Sequence, residues 1–299
     1  MRILVFGAGS LGCAIGGMLG QKHDVVLVGR RENMDAIRRD GLHLTGEIAT
    51  DIKIETCETV KGLVPPDLMI LTTKAYHTKL VVDTLRSLPW PDTSVLTLQN
   101  GLGNLELIRE WKGAKAFGGT TTMGAVLLSP GNVRVSGLGR TIVGADLDEP
   151  GADRIAGVFS ACGFRVDVKR DVAAEIWAKA VVNACINPMT AILRVPNGKL
   201  LESETISHLV SELCDECVAV AEASGVVLPE GSMMDRVRAV AMDTAANRSS
   251  MLVDVELHRR TEIEQMNGMM CKLGSYHGVR TPLNRAMTAM VEALEPSGT

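Results

Sequence analysis

At 299 residues the chain is long enough for two ordinary domains, and an apolar content of 46% allows each half its own core. The formal net charge is −4 with both signs spread along the chain, so no basic stripe for nucleic acid is expected. Seven cysteines at irregular spacings fit free thiols rather than a disulfide framework, and the chain opens on RILVFGAG rather than a signal peptide, so a cytoplasmic protein is expected.

In chain order, RILVFG, DVVLVG, LMILTT, SVLTLQN and KAFGGTTTMGAVLL read as strands. Helical segments such as CAIGGMLGQK and HTKLVVDTLRSL lie between the earlier ones. Continuous apolar strands alternating with helices predict a parallel sheet covered on both faces. After Gly118, LLSPGNVRVSGLGRTIVGA reads as a strand, a Pro-Gly turn and further strands, expected as antiparallel additions at the sheet edge. From about Asp171 the strand signal stops. AAEIWAKAVVNACINPMTAIL, ISHLVSELCDECVAVAEASG, one long run from MMDRVRAV to KLGSYHG, and LNRAMTAMVEAL read as helices. No apolar run is expected to approach the ~20 residues of a membrane span. The terminal EPSGT is expected to fray.

The expected fold class is therefore α/β, a Rossmann-type doubly wound sheet followed by an all-helical C-terminal domain. The boundary falls near Lys169–Asp171, giving domains of 1–169 and 170–299.

Gly7-Ala8-Gly9-Ser10-Leu11-Gly12 follows a strand and opens a helix, the setting in which GxGxxG acts as a dinucleotide cradle. Gly7 allows the tight turn, Gly9 the approach of a pyrophosphate, and Gly12 close helix–strand packing. The helix N-terminus adds free N–H groups for the phosphates. NAD sites carry an acid at the end of the second strand, whereas here DVVLVG runs into Arg30 and Arg31. A guanidinium there suits a 2′-phosphate, which favours NADP, although Glu32 is adjacent and two arginines also fit a solvated face.

Two other strands end in polar residues, at Lys74 and at Asn100-Gly101, where ordinary turn chemistry is the alternative to function. On the first helix of the second half, Lys179, Asn183 and Asn187 recur every four residues and so share one face. A buried amine and two amides need partners, which points to a ligand-facing stripe. Pro188 is expected to end or kink that helix and free carbonyls near the site.

A second stripe, Ser250, Asp254, His258 and Glu262, is expected along one continuous helix, with a surface salt-bridge row as its plainer reading. The H-E-x-x-H spacing is absent and no metal is expected. Cys214 and Cys217 form a lone CxxC without a second ligand pair, read as coincidence.

Together GAGSLG, LTTKAY, QNGLGN, GGTTTMGA with its downstream PGNV, WAKAVVNACINPMTAI, VPNGKLL, and SSMLVD followed by HRRTEIEQMNG resemble the ketopantoate reductases along almost the whole chain. The resemblance implies NADPH-dependent reduction of 2-dehydropantoate to pantoate, with Lys179 as proton donor and Glu262 as a second catalytic residue. It implies that Asn100, Asn183, Asn187, Asn197 and Ser250 hold the substrate. Gly7 to Gly12, Arg30, Lys74, Asn100, Ala125 and Glu262 are implied to contact the cofactor. Ala180 and Met189 depart from the pattern by standing where larger or branched aliphatics are usual.

In the reaction so implied, negative charge grows on the ketone oxygen of a 2-oxo acid, and Lys179 hydrogen-bonds that oxygen and delivers the proton. Burial on an apolar helix should lower the lysine pKa toward working pH. Asn183 and Asn187 would orient the lysine and substrate, Ser250 and Asn197 would bind its carboxylate or hydroxyl, and the cleft between the domains would close to exclude water. The expected partner is a small 2-oxo acid, with no nucleic acid or membrane, and a homodimer is one possible assembly. Two other readings are a reductase of another branched 2-oxo acid and a non-enzymatic NADPH-binding sensor. The sensor would need only the glycine cradle, not Lys179, Asn183, Asn187 and Glu262.

Overall fold

The computed structural model describes residues 1–145 and 148–296. It divides into two compact units, one of Met1–Gln99 with Gly103–Val172, the other of Asn100–Leu102 with the chain from Ala173 onward.

The strands are β1 (Arg2–Phe6), β2 (Asp24–Val28), β3 (Leu42–Gly46), β4 (Thr50–Ile52), β5 (Glu55–Cys57) and β6 (Leu68–Leu71). They continue with β7 (Ser94–Thr97), β8 (Ala116–Thr121), β9 (Gly124–Ser129), β10 (Asn132–Gly137), β11 (Thr141–Gly144) and β12 (Val166–Val168). Helices α1 (Ser10–Gly20), α2 (Arg31–Asp40), α3 (Thr78–Arg86), α4 (Asn104–Lys112) and α5 (Glu149–Ala161) complete the first unit.

Its main sheet has the order β12-β11-β8-β7-β6-β1-β2-β5. Every neighbouring pair is parallel except β11 with β8. Helices on both faces explain why all four residues of β6 are buried. Strand order reverses at β1, which pairs with both β2 and β6, and Gly7 and Thr72 follow the carboxyl ends of β1 and β6. That reversal is where a doubly wound sheet leaves room for a ligand.

The Pro-Gly hairpin is placed differently from the expectation at the sheet edge. β9 and β10 pair with each other, but in a separate sheet of order β4-β3-β10-β9, and only β11 joins the main sheet antiparallel. The single run KAFGGTTTMGAVLL is accordingly shared between β8 of one sheet and β9 of the other. Exposure along β10 alternates, with Val133 and Val135 inward beside Leu42, Leu44 and Met18. Such a one-sided strand suits a sheet with one wet face, not a sheet covered on both.

The second unit contains all but the first residue of α6 (Val172–Leu193), together with α7 (Glu204–Ala223), α8 (Met233–Asp243), α9 (Ser250–Glu256), α10 (Asn267–His277) and α11 (Pro282–Glu292). α6, contrary to expectation, is long and apolar enough to cross a membrane, with a mean hydropathy of 1.3 over its best window. It is 72% buried over that window, and Val181, Ala184 and Cys185 pack with Leu213, Cys214 and Cys217 of α7. Nor does Pro188 end the helix, which runs five residues further, to Leu193.

The long helix expected from Met233 to the end of α10 is broken into α8, α9, a 3-10 turn at Ile263–Gln265, and α10. Local side chains make the breaks. Ser232 and Ser249 cap α8 and α9 by accepting from Asp235 N and Leu252 N, and His258 takes a left-handed φ of 49° just after α9. Ser250, Asp254, His258 and Glu262 therefore do not form one helical stripe. At the C-terminus, Glu295 is anchored rather than frayed, its Oε1 accepting from Thr261 N at 2.8 Å and from Thr261 Oγ1 at 2.6 Å. The last three residues of EPSGT lie outside the described residues.

Candidate active site

The glycine cradle is held by the ends of β2 and β6 within the first unit. Gly7 N and Ala8 N donate to Val28 O at 2.9 and 3.0 Å, and Thr72 Oγ1 donates to Gly7 O at 2.9 Å. Gly7 has a φ of 119°, and a Cβ there would lie 2.5 Å from Thr73 N. A Cβ on Gly12 would lie 2.1 Å from Gly7 O, whereas one on Gly9 would meet nothing within 4 Å. The loop is thus packed shut behind Gly7 and Gly12 and open in front of Gly9. α1 starts with no side-chain cap, leaving its first amides for an anion. These features fit a dinucleotide phosphate.

Ser10 turns its hydroxyl to the protein, accepting from Leu127 N at 2.9 Å, and so ties the cradle to β9, the strand of the half-buried Ala125. Leu11 packs on the core edge. Arg30 precedes α2 and is exposed, whereas the Arg31 guanidinium is engaged with Asp35 at 3.5 Å. Lys74 is half-buried directly ahead of the 3-10 turn Ala75–His77.

Two residues not anticipated from sequence shape this end of the sheet. Buried Asn33 donates from Nδ2 to Ala8 O at 2.8 Å and accepts at Oδ1 from Gly131 N at 2.7 Å, clamping the glycine loop to the β9–β10 turn. Gln99 donates from Nε2 to Thr73 O at 2.9 Å and to Thr78 Oγ1 at 2.8 Å, joining the ends of β6 and β7. Asn33 lies 98 residues from Gly131, and no local pattern reports such a pair.

In the second unit the centre is Lys179. Its half-buried Nζ donates to Asn100 Oδ1 at 2.9 Å. Desolvation pulls its pKa down from 10.5 to about 8, and the charge of Glu262 opposes that fall. Glu262 is only 5% exposed, so its charge acts on the ammonium in a largely dry setting.

Asn100 is delivered by backbone geometry. Leu102 N donates to Gln265 O at 3.2 Å, and Gly101 has a φ of 83° with its Cβ direction 2.6 Å from that same oxygen. The turn at Glu262–Gln265 therefore supplies both the carboxylate near Lys179 and the seat of the Asn100 loop.

The remaining site residues separate. Asn183, one turn beyond Lys179, is half-buried. Asn187 is buried, with Nδ2 donating to Met266 Sδ at 3.7 Å. Asn197 donates from Nδ2 to Thr244 Oγ1 at 2.9 Å, while its buried Oδ1 lacks a partner. Ser250 is exposed at the start of α9; its neighbour Ser249 is the anchored one, accepting from Thr190 Oγ1 of α6 at 2.8 Å. Among the described residues no group of three or more His, Cys, Asp or Glu side chains is arranged to hold a metal.

The comparisons agree along the whole chain. Residues 3–147 match the family described as "Ketopantoate reductase PanE/ApbA", and residues 171–295 match "Ketopantoate reductase PanE/ApbA C terminal". The chain is 36% identical to the 2-dehydropantoate 2-reductase of Pyrococcus horikoshii, over 100% of this chain and 99% of that one. It is also 36% identical to the 2-dehydropantoate 2-reductase of Archaeoglobus fulgidus, over 98% of each. A PanE/ApbA family ketopantoate reductase from Ralstonia eutropha JMP134 has a similar structure, with a TM-score of 0.92 at 28% identity over 98% of each chain. D-Mandelate dehydrogenase, solved with NADH and anilino(oxo)acetate, has a TM-score of 0.91 at 28% identity over 98% of each chain. With both halves matched in order and relatives covered end to end, the chain belongs to the ketopantoate reductase family.

Proposed function

We propose that the protein reduces 2-dehydropantoate to pantoate with NADPH, a step of pantothenate and coenzyme A biosynthesis. The observation that carries this reading is the half-buried Lys179, bonded to the Asn100 amide oxygen and favoured as an ammonium by the charge of Glu262. A pKa of about 8 lets this amine hold a proton at working pH and give it up readily. In this reading residues 1–169 hold the cofactor and 170–299 the substrate. The glycine loop and first turn of α1 take the pyrophosphate, and Arg30 takes the 2′-phosphate. When bound, NADPH supplies the hydride that reduces the ketone carbon.

The protein's own part is electrostatic and acid–base. Lys179 hydrogen-bonds the ketone oxygen, stabilises its growing negative charge, and transfers the proton that completes the alcohol. Asn100 orients the ammonium by accepting one of its hydrogens. Glu262 keeps the ammonium populated against desolvation. Asn183 contributes an amide to the substrate, and Ser250 and Asn197 are assigned to its carboxylate or hydroxyl. Asn187, Lys74 and Ala125 keep the substrate and cofactor contacts implied by the resemblance.

A second reading, reduction of another branched 2-oxo acid, is favoured by the likeness to D-mandelate dehydrogenase. The test is NADPH oxidation by the purified protein with 2-dehydropantoate beside other 2-oxo acids. Preferred turnover of 2-dehydropantoate supports the first reading, preference for another acid supports the second, and NADPH binding without turnover leaves a sensor. Seven free thiols suit a reducing compartment, and we assign the protein to the cytoplasm. It acts there on a small molecule rather than on nucleic acid or a membrane. Sedimentation tests assembly as a homodimer.

A further inference from the structure

α6 contains a proline in its interior, and the helix continues through it. Pro188 has no N–H, so the carbonyl of Ala184, four residues earlier, loses its helical donor. A buried carbonyl left that way is costly. Here it is met from another segment: Asn267 Nδ2 donates to Ala184 O at 3.0 Å. Asn267 is fully buried and stands five residues after Glu262, directly beyond the turn that seats the Asn100 loop.

The amide is also oriented from its far side. Asn267 Nδ2 donates to Asn284 Oδ1 at 3.0 Å, and Asn284 Nδ2 donates to Glu216 Oε2 at 2.9 Å. Glu216 further accepts from Leu283 N at 2.8 Å and Asn284 N at 3.0 Å at the start of α11. A chain of bonds thus runs from α11 through Asn267 to the one turn of α6 that its proline has opened.

We infer that Asn267 is a positioning residue for the reduction: by occupying the carbonyl that Pro188 frees, it locks the turn of α6 bearing Asn183 against the segment bearing Glu262. This inference rests on the reductase reading. Its consequence is that Lys179 and Asn183, on α6, keep a set distance from Glu262. A misplacement of about 1 Å in such a constellation can cost on the order of 100-fold in rate.

The test uses Asn267→Leu, Pro188→Ala and the double variant in the full chain, read by kcat, KM, Lys179 titration (NMR of its ε-carbon) and thermal melting. Asn267→Leu is expected to lower kcat by roughly 10- to 100-fold with KM little changed, and to move the Lys179 titration away from its wild-type midpoint. An alanine at position 188 supplies the missing N–H to Ala184 O, so the double variant is expected to recover kcat and the Lys179 midpoint toward those of Pro188→Ala. If Asn267→Leu fails to fold, Asn267→Ser, which keeps a shorter donor, takes its place in the same cycle. Wild-type kcat and titration in the Asn267 variant overturn the inference. So does a double variant that regains thermal stability but neither kcat nor the Lys179 midpoint, since Asn267 then serves folding alone. If wild-type protein turns over no 2-oxo acid, the reductase reading fails separately, and the Lys179 midpoint across the three variants still decides the positioning role.

Discussion

Lys179 and Asn100 are 79 residues apart in sequence, yet Nζ of the first donates to Oδ1 of the second at 2.9 Å. The bond depends on Asn100 belonging to the helical unit rather than to the sheet whose strand it follows. Gly101 and Gln265 make that possible, and Glu262 on the same turn supplies the charge that opposes desolvation of the amine.

The pH profile should report Lys179. Its pKa in the folded protein is about 8, below the ordinary 10.5, so the proton is held below about 8 and lost as pH rises through it. Reduction that needs the ammonium is then full below about 8 and falls above it. Glu262→Gln removes the charge that favours the ammonium, so the alkaline limb should move to lower pH. From about 8 to 10.5 the unfolded chain binds this proton and the folded one does not, so Lys179 makes stability rise with pH across that window. Initial rates and urea melts against pH check both signs.

Lys179→Ala should lower kcat and kcat/KM together, by about 10²- to 10⁴-fold for loss of a general acid. NADPH affinity, followed by fluorescence, should stay near wild type because the glycine cradle belongs to the other unit. Near-normal turnover would make Lys179 structural.

The glycines of the cradle should differ in what they lose. Gly9→Ala meets nothing within 4 Å and should fold with unchanged melting temperature while weakening NADPH, since the new methyl points into the open face. Gly12→Ala, with its Cβ 2.1 Å from Gly7 O, should lower the melting temperature as well. Equal effects of the two on NADPH and on stability would count against a phosphate at Gly9.

Arg30→Ala tests cofactor choice. One charge-assisted pair to the 2′-phosphate contributes about 1.5–3 kcal/mol, or roughly 10- to 100-fold in affinity. NADPH should weaken by that factor and NADH hardly change. Wild-type protein that uses both cofactors equally well would remove the basis for this role.

Gly101→Ala places a side chain at a φ of 83° and 2.6 Å from Gln265 O. Backbone strain of this kind costs about 1–3 kcal/mol, and relief requires the Asn100 loop to move. Both a lower melting temperature and a lower kcat are expected. A loss of stability with kcat intact would show that the Asn100–Lys179 bond is dispensable.

Much of this protein is determined by short-range pattern. The period of the apolar residues sets parallel strands in one half and helices in the other, and Gly7, Gly9 and Gly12 report a cradle because their backbone needs are local. Lys179 and Asn183 stand out in the sequence for the same reason, as polar residues one turn apart on an apolar helix. Tertiary structure alone decided what depends on partners far along the chain. It moved β9 and β10 to a second sheet with β3 and β4, and it brought Asn267 to the carbonyl that Pro188 frees in α6. It turned Asn187 toward Met266. Helical period could place residues on one face of a single helix. It could not report the 98-residue link from Asn33 to Gly131 or the 83-residue link from Asn267 to Ala184, because a hydrogen bond closed by folding leaves no repeat in the sequence.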